Sequence, residues 1–172
     1  MRRMPRGGTL PKGRPLMPLF GTHVSVAGGL CNAFGEFREV GGQAFQIFTK
    51  NQRRWESAPL AVEEAENFRA LWAENGRPPI ASHGSYLLNL ASGDPEISEK
   101  TVKNLVDELK RVEMLHIPYI VLHPGSHGGD GVEVGIARIA ENIAIAFEEA
   151  QSERATVLLE TTSGAGNSVG GL

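Results

Sequence analysis

Residues 118–123, PYIVLH, decide how this chain folds. A proline leads into an apolar run that ends on His123, and Pro124-Gly125 follows at once, so no helix can continue through the segment. That reads as a short buried strand with a histidine at its C-terminal end. Other segments repeat the arrangement. PPIASH (78–83) closes on His83, ATVLLE (155–160) closes on Glu160, and LFGTH closes on His23 in a first strand reading from Leu16. AFQIFT (44–49) makes one more strand. Strand ends therefore fall near residues 23, 49, 83, 123 and 160, with room for one helix and two loops in each interval, the length of a βαβ step. The strand interiors are nearly all apolar, as parallel strands covered on both faces require. Repeated β/α units whose strands end in metal-ligating side chains predict an α/β fold of the (β/α) barrel type, because such barrels carry their chemistry on the C-terminal rim of the strands.

The intervening segments carry helical spacing. Leu30, Ala33, Phe34, Phe37 and Val40 mark one helix, ended by Gly41-Gly42. Ala61, Ala65, Phe68, Leu71 and Trp72 mark the next, stopped by Gly76. Asp94-Pro95 is a strong start, an acid as cap and proline at the first helical position. Ile97, Val102, Leu105, Val106, Leu109 and Val112 follow as a buried stripe, with Glu96–Lys100, Glu99–Lys103 and Asp107–Arg111 expected as ion pairs on the wet side. Val132, Ile136, Ile139, Ile143, Phe147 and Ala150 predict a fourth helix. The 172 residues supply about five β/α units. A complete eight-unit barrel takes about 250 residues, so the expected domain is an incomplete barrel over 17–172.

Composition narrows the functional classes. With 41% hydrophobic and 22% charged residues the chain suits one globular domain, and a net charge of −3 gives no global basic field for nucleic acid. The basic residues cluster instead at the start. Residues 1–16 hold Arg2, Arg3, Arg6, Lys12 and Arg14, no acid and three prolines, and read as a disordered extension, with Met17 a candidate for the true start. They lack the apolar core of a secretory signal. No run of about 18 apolar residues is present to span a membrane. The single Cys31 forms no internal disulfide, fits a cytoplasmic protein, and reads as a buried apolar residue.

The candidate chemistry lies at the strand ends. Two imidazoles and a carboxylate are ordinary zinc ligands, and His83, His123 and Glu160 from successive strand ends would converge on one rim. His127 follows His123 by four residues across Pro124-Gly125, so it orients another group or touches substrate. His116 ends a helix, where a positive ring suits the dipole. FTKNQRRW (48–55) places Lys50, Arg53 and Arg54 beside Asn51, Gln52 and Trp55 directly after a strand. That mixture suits phosphate contact and base stacking, or a solvated turn with Trp55 on the helix layer. Tyr86-Leu87 follows His83 closely, as a wedge for a duplex or as a loop anchor. The glycines of GAGNSVGG (164–171) miss the spacing of a dinucleotide fingerprint.

In combination GTHVSVAGGL, FTKNQRRW, SHGSYLLNL, LHPGSHGG, ARIAENIAIA and LLETTSGAGNSVG, running from Gly21 to the end, resemble endonuclease IV, the zinc-dependent apurinic/apyrimidinic endonucleases of base-excision repair. The resemblance implies a TIM-type barrel with a trinuclear zinc cluster. The implied reaction cuts the phosphodiester 5′ to an abasic site in double-stranded DNA by attack of metal-bound hydroxide and leaves a 3′-hydroxyl. It implies His83, His123 and Glu160 as ligands, with Glu160 catalytic and bridging two metals. It gives Asn51, Arg53, Tyr86 and Leu87 to the DNA and His23 to the rim without ligand status. It sets no oligomeric state; for an intact enzyme a monomer is expected. Gly84 stands where the family usually has an acid, Thr161 where it has Asn, and Arg54 where an amide is expected. The family's later aspartate, histidine and glutamate ligands have no counterpart here, so the chain is expected to be an N-terminal portion with one complete zinc site and little activity alone. Competing readings are a metal-dependent sugar isomerase-like barrel and a decayed fragment that binds one zinc or nothing.

Overall fold

The computed structural model describes residues 18–171; the basic extension, the start of the expected first strand and Leu172 lie outside them. Strands and helices alternate: β1 (Gly21–His23), a single 3-10 turn (Leu30–Asn32) running into α1 (Ala33–Val40), β2 (Ala44–Phe48), α2 (Val62–Glu74), β3 (Ile80–His83), α3 (Pro95–Leu115), β4 (Tyr119–Leu122), α4 (Val132–Ala150) and β5 (Thr156–Leu159). The strands form one parallel sheet in sequence order, β1-β2-β3-β4-β5. Each new strand is added beside the last with a helix between, the winding of a (β/α) barrel. Register aligns the strand ends that matter: His23 sits beside Gln46, Phe48 beside His83, and His83 beside Val121. The pairing continues one residue past β5, where the Glu160 N–H donates to Leu122 O at 2.9 Å.

The helices form for the reasons read in the sequence. Asp94 caps α3, its carboxylate accepting from the N–H groups of Glu96 (2.8 Å) and Ile97 (3.1 Å), with Pro95 in the first turn. α1 ends at Gly41 in the left-handed conformation, φ 68°. Two apolar clusters fill the layer between sheet and helices. Phe34, Phe45, Ile47 and Phe68 pack under β1–β3, with the Phe34 and Phe68 rings 4.9 Å apart, and Leu105, Leu109, Ile120, Leu122 and Ala146 pack under β4.

Several expectations are corrected. β1 starts at Gly21 rather than Leu16; Pro18–Phe20 are not strand, and Phe20 is exposed. Val40, Val132 and Ile136 face outward. The rest of the expected α4 stripe faces the core: Ile139 and Ala150 are buried and Ile143 and Phe147 pack against the same cluster, with Gly135, Asn142 and Ala146 buried alongside. Asn142 is satisfied on that face, its amide donating to Leu90 O (2.9 Å) and its oxygen accepting from Ser98 Oγ (3.2 Å). Buried polar groups go where partners are, even on an apolar face. β5 is the open edge that an incomplete barrel leaves, with one neighbour in the sheet, and Leu158 and Leu159 are 42% and 47% exposed there. The pair Asp107–Arg111 forms, but Arg111 is buried rather than wet.

Candidate metal centre

The end of β3 and the residues just after β4 and β5 deliver His83, His123 and Glu160 to one spot. Their ligand atoms all lie within 4.8 Å of one another. His83 Nε2 is 3.3 Å and His123 Nε2 is 3.9 Å from Glu160 Oε2, and the two imidazole rings are 5.2 Å apart between centroids. Ligands about 2.0 Å from a tetrahedral zinc stand about 3.3 Å from each other, so the three groups need only a small contraction to share one ion. His83 is buried; His123 and Glu160 open toward solvent, which leaves an approach for a fourth ligand.

The hydrogen bonds around His83 supply a test of fit. Its Nδ1 lies 2.7 Å from Gly84 O. A carbonyl only accepts, so Nδ1 donates and Nε2 is the ring atom left to face the Glu160 carboxylate. Nε2 and Oε2 stand 3.3 Å apart, the separation of two ligands on one tetrahedral zinc ion. The same Gly84 carbonyl fixes the ring's tautomer and aim, as outer partners of zinc-bound histidines commonly do. The residues fit a zinc ion.

An aromatic wall adjoins the centre. Phe48, at the end of β2, stacks on His23 (4.5 Å) and meets His83 and Tyr86 edge-on (both 5.4 Å); Tyr86 also lies 5.5 Å from His83 and 6.0 Å from His123. Tyr86 is 56% exposed although its ring is braced on these neighbours, and Leu87 beside it is half-buried. A cleft of about 610 Å³ adjoins the centre on the β1–β2 side, lined by His23, Ser25, Glu36, Phe48, Asn51 and Gln52, without containing the three ligands themselves. His23 shares its Nδ1 with Gln46 Oε1 at 3.2 Å. Burial, and then the neighbouring His83, lower its pKa against the Gln46 hydrogen bond and Glu36, which raise it.

The loop after β2 divides into two parts. Asn51, Arg53 and Arg54 are exposed, and Asn51 Oδ1 accepts from the Arg53 N–H at 2.9 Å, which shapes the turn. Lys50, the third cation of the segment, is buried: its Nζ donates to Asp107 Oδ2 (2.7 Å) and Asn104 O (3.2 Å). Trp55 is half-buried and its carbonyl accepts from Asn104 Nδ2 at 2.7 Å. Ser85 Oγ donates to Gln52 O at 2.9 Å and ties this loop to the segment that carries Tyr86.

Other sequence candidates lie apart from the three ligands. His127 is buried, and its Nδ1 accepts from the N–H groups of Gly129 and Gly131, both at 3.1 Å. It orients the backbone of the β4–α4 turn, not a metal. His116 caps α3 in the left-handed region, φ 60°. A positive ring is not favoured there: burial, then Arg154 and Arg69, lower its pKa. Burial and Glu64 push the Cys31 thiol up, which leaves it without nucleophilic character. The glycine-rich end folds back on the β4–α4 loop, Val169 N–H donating to Gly125 O at 2.9 Å. The sequence reading missed Phe48, although it ends β2 as the other candidates end their strands. It also missed the polar face of α3, whose signal was Asn104, Asp107, Glu108 and Arg111 at i, i+3, i+4 and i+7.

A parallel β/α sheet with a group of side chains on its C-terminal rim that could hold a metal ion has the layout of a (β/α) barrel, and comparison with known proteins agrees on the fold. The family model described as xylose isomerase-like TIM barrel matches residues 34–171. The chain is 43% identical over 154 residues to the probable endonuclease 4 of Chloroflexus aurantiacus (90% of this chain, 54% of that protein) and 44% identical over 155 residues to that of Nitratidesulfovibrio vulgaris (90% and 55%). The crystal structure of endonuclease IV from Thermus thermophilus superposes with a TM-score of 0.80 at 38% identity, over 89% of this chain and 55% of that one. A D-tagatose 3-epimerase-like protein shares the fold at 17% identity and a TM-score of 0.65. The chain belongs to the xylose isomerase-like TIM barrel family, in its endonuclease IV branch. It spans about half the length of the curated relatives it matches.

Proposed function

We propose that this chain carries the first zinc site and the DNA-facing rim of an endonuclease that acts 5′ to abasic sites in duplex DNA. The observation that carries the reading is the meeting of His83, His123 and Glu160 within 4.8 Å, on the rim where the loop bearing Arg53 and the Tyr86-Leu87 pair also emerge. His83 and His123 would hold the metal through Nε2, and Glu160 would supply the anionic ligand. When bound, zinc would supply Lewis acidity and neutralise charge at a phosphate.

The chain's own residues account for binding and orientation. Arg53 presents a guanidinium to a phosphate, with Asn51 holding the turn that aims it. Tyr86 offers an exposed ring, braced by Phe48 and His83, to a gap in the base stack, and Leu87 adds apolar surface next to it. An abasic site lowers the cost of turning a nucleotide out, because one base of stacking and pairing is already lost. A small-sugar isomerase gains nothing from an exposed cationic loop and a projecting tyrosine, and the likeness to sugar epimerases is one of fold.

The test is binding of the zinc-loaded chain to a duplex with one tetrahydrofuran abasic analogue and to the same duplex undamaged, at low salt. The damaged duplex is expected to bind about tenfold tighter, about 1.4 kcal/mol, and Tyr86→Ala is expected to remove that preference. Equal affinity for both duplexes ends the abasic-site reading.

A further inference from the structure

The mechanism leaves unused a dense polar network on the far side of the β2–α2 loop. Asn104, Asp107, Glu108 and Arg111 of α3 lie on one face of that helix, and three of them are buried, Glu108 at 1% exposure. A helix that packs only for stability buries apolar side chains on such a face.

Every member reaches for the same segment. Arg111 donates Nη1 to Thr49 O (3.2 Å), Nη2 to Ala58 O and Nε to Asp107 Oδ2 (3.0 Å). Thr49 Oγ1 donates to Glu108 Oε2 at 2.7 Å. Lys50 Nζ meets Asp107 Oδ2 at 2.7 Å, Glu108 Oε1 at 3.8 Å and Asn104 O at 3.2 Å. Asn104 Nδ2 holds Trp55 O at 2.7 Å. The contacts fall at 49, 50, 55 and 58, on either side of the exposed Asn51–Arg54 turn, which they leave free. Burial raises the Glu108 pKa, opposed mainly by Lys50, so each cation here also balances a costly carboxyl group.

We propose that Asn104, Asp107, Glu108 and Arg111 of α3 form a clamp whose task is to hold residues 49–58 so that Arg53 faces nucleic acid. They are positioning residues that act through Arg53; the inference rests on the reading that this loop meets DNA. The guanidinium of Arg111 is essential to the clamp. Its planar fork satisfies carbonyls at both ends of the loop and the Asp107 carboxylate at once, which a lysine ammonium on a flexible stem cannot reproduce.

The experiment uses the full zinc-loaded chain as wild type, Arg111→Lys, Asn104→Ala, Arg53→Ala and the double variant Arg53→Ala/Arg111→Lys. Amide hydrogen exchange is followed over residues 49–58, and affinity is measured for the abasic-analogue duplex. Circular dichroism selects variants that keep the native spectrum; Arg111→Lys and Asn104→Ala each provide a clamp arm if the other fails to fold. Exchange in 49–58 is expected to quicken about tenfold in either clamp variant, with the sheet amides unchanged. Affinity is expected to fall about tenfold in Arg53→Ala and comparably in Arg111→Lys, and the double variant is expected to bind no more weakly than Arg53→Ala, because the clamp acts through that one side chain. Additive losses, or loop exchange unchanged in a folded clamp variant, overturn the clamp while leaving the DNA reading in place. Undiminished binding by Arg53→Ala, or no binding by the wild type, overturns the DNA reading and the proposal with it.

Discussion

Nε2 of His83 stands 3.3 Å from Oε2 of Glu160, although 77 residues separate them in the chain. Because Nδ1 of the same ring is committed to Gly84 O, Nε2 is the atom left to share a metal ion with the carboxylate. Zinc is therefore expected at up to one ion per chain by elemental analysis, and at none after His83→Ala with His123→Ala. Saturating zinc at about 100 times its Kd adds about 2.7 kcal/mol to stability, or about 5–10 °C in Tm for a domain of this size, and a chelator reverses it. An unchanged metal content in the double variant rejects the three-residue site.

Gly84 is buried against Leu122, and a Cβ there runs into Leu122 Cδ2 and meets Leu88 Cδ1 at 3.2 Å. Gly84→Ala is expected to cost about 1–3 kcal/mol by overpacking, and Leu122→Val introduced with it should recover part of that loss. Chemical denaturation of the single and double variants decides; a neutral Gly84→Ala removes the steric account.

Glu113 Oε1 accepts from Ser152 Oγ (2.6 Å) and from the N–H groups of Glu153, Arg154 and Ala155. Burial opposes its charge, but the Ser152 hydroxyl and these amides outweigh it and lower the pKa. A carboxylate depressed on folding stabilises above its unfolded value near 4.5 and loses that contribution as pH falls through the folded value. Glu113→Ala is expected to cost about 1–3 kcal/mol at pH 7 by orphaning the amides, with the difference from wild type shrinking below pH 4.5. Urea melts on either side of that value measure it; a pH-independent difference contradicts the charge account.

His116 ends α3 at φ 60° with its pKa lowered by burial, then by Arg154 and Arg69. The unfolded chain takes up that proton more readily, so the contribution of neutral His116 is present above pH 6.5 and declines as pH falls through the folded value. His116→Gly relieves the left-handed strain and is expected to stabilise by at most about 1 kcal/mol, since glycine also frees the unfolded chain. It should also flatten the loss of Tm between about pH 7 and pH 5. A variant with the wild-type pH slope would show that another group controls that limb.

Much of this architecture was legible in advance because local chemistry agreed with it. The Asp94-Pro95 start, the apolar stripe of α3 and the β/α alternation each report on nearest neighbours. The expected ligands His83, His123 and Glu160 share a rim position that the strand period fixes. Errors arose where a residue's fate depends on distant partners. Lys50 stood among the cations of a loop read as phosphate-facing or solvated, and it is neither: Asp107 of α3 holds it. Asp107–Arg111 looked like a wet pair and lies beneath the 49–58 loop. Val132 and Ile136 of α4 read as part of its apolar stripe and are exposed, while Asn142 joins Ile139 on the buried face with its amide bonded to Leu90 O.

By itself the sequence determined the parallel alternating fold, the strand ends as the place of the chemistry, and the likeness to endonuclease IV, since periodicity, caps and motifs are properties of short segments. Tertiary structure alone decided which cations are free and which are bound, and that the two imidazoles and the carboxylate come within 4.8 Å of one another. Those outcomes depend on distances between groups up to 77 residues apart, and distance in space is what the folded sheet creates.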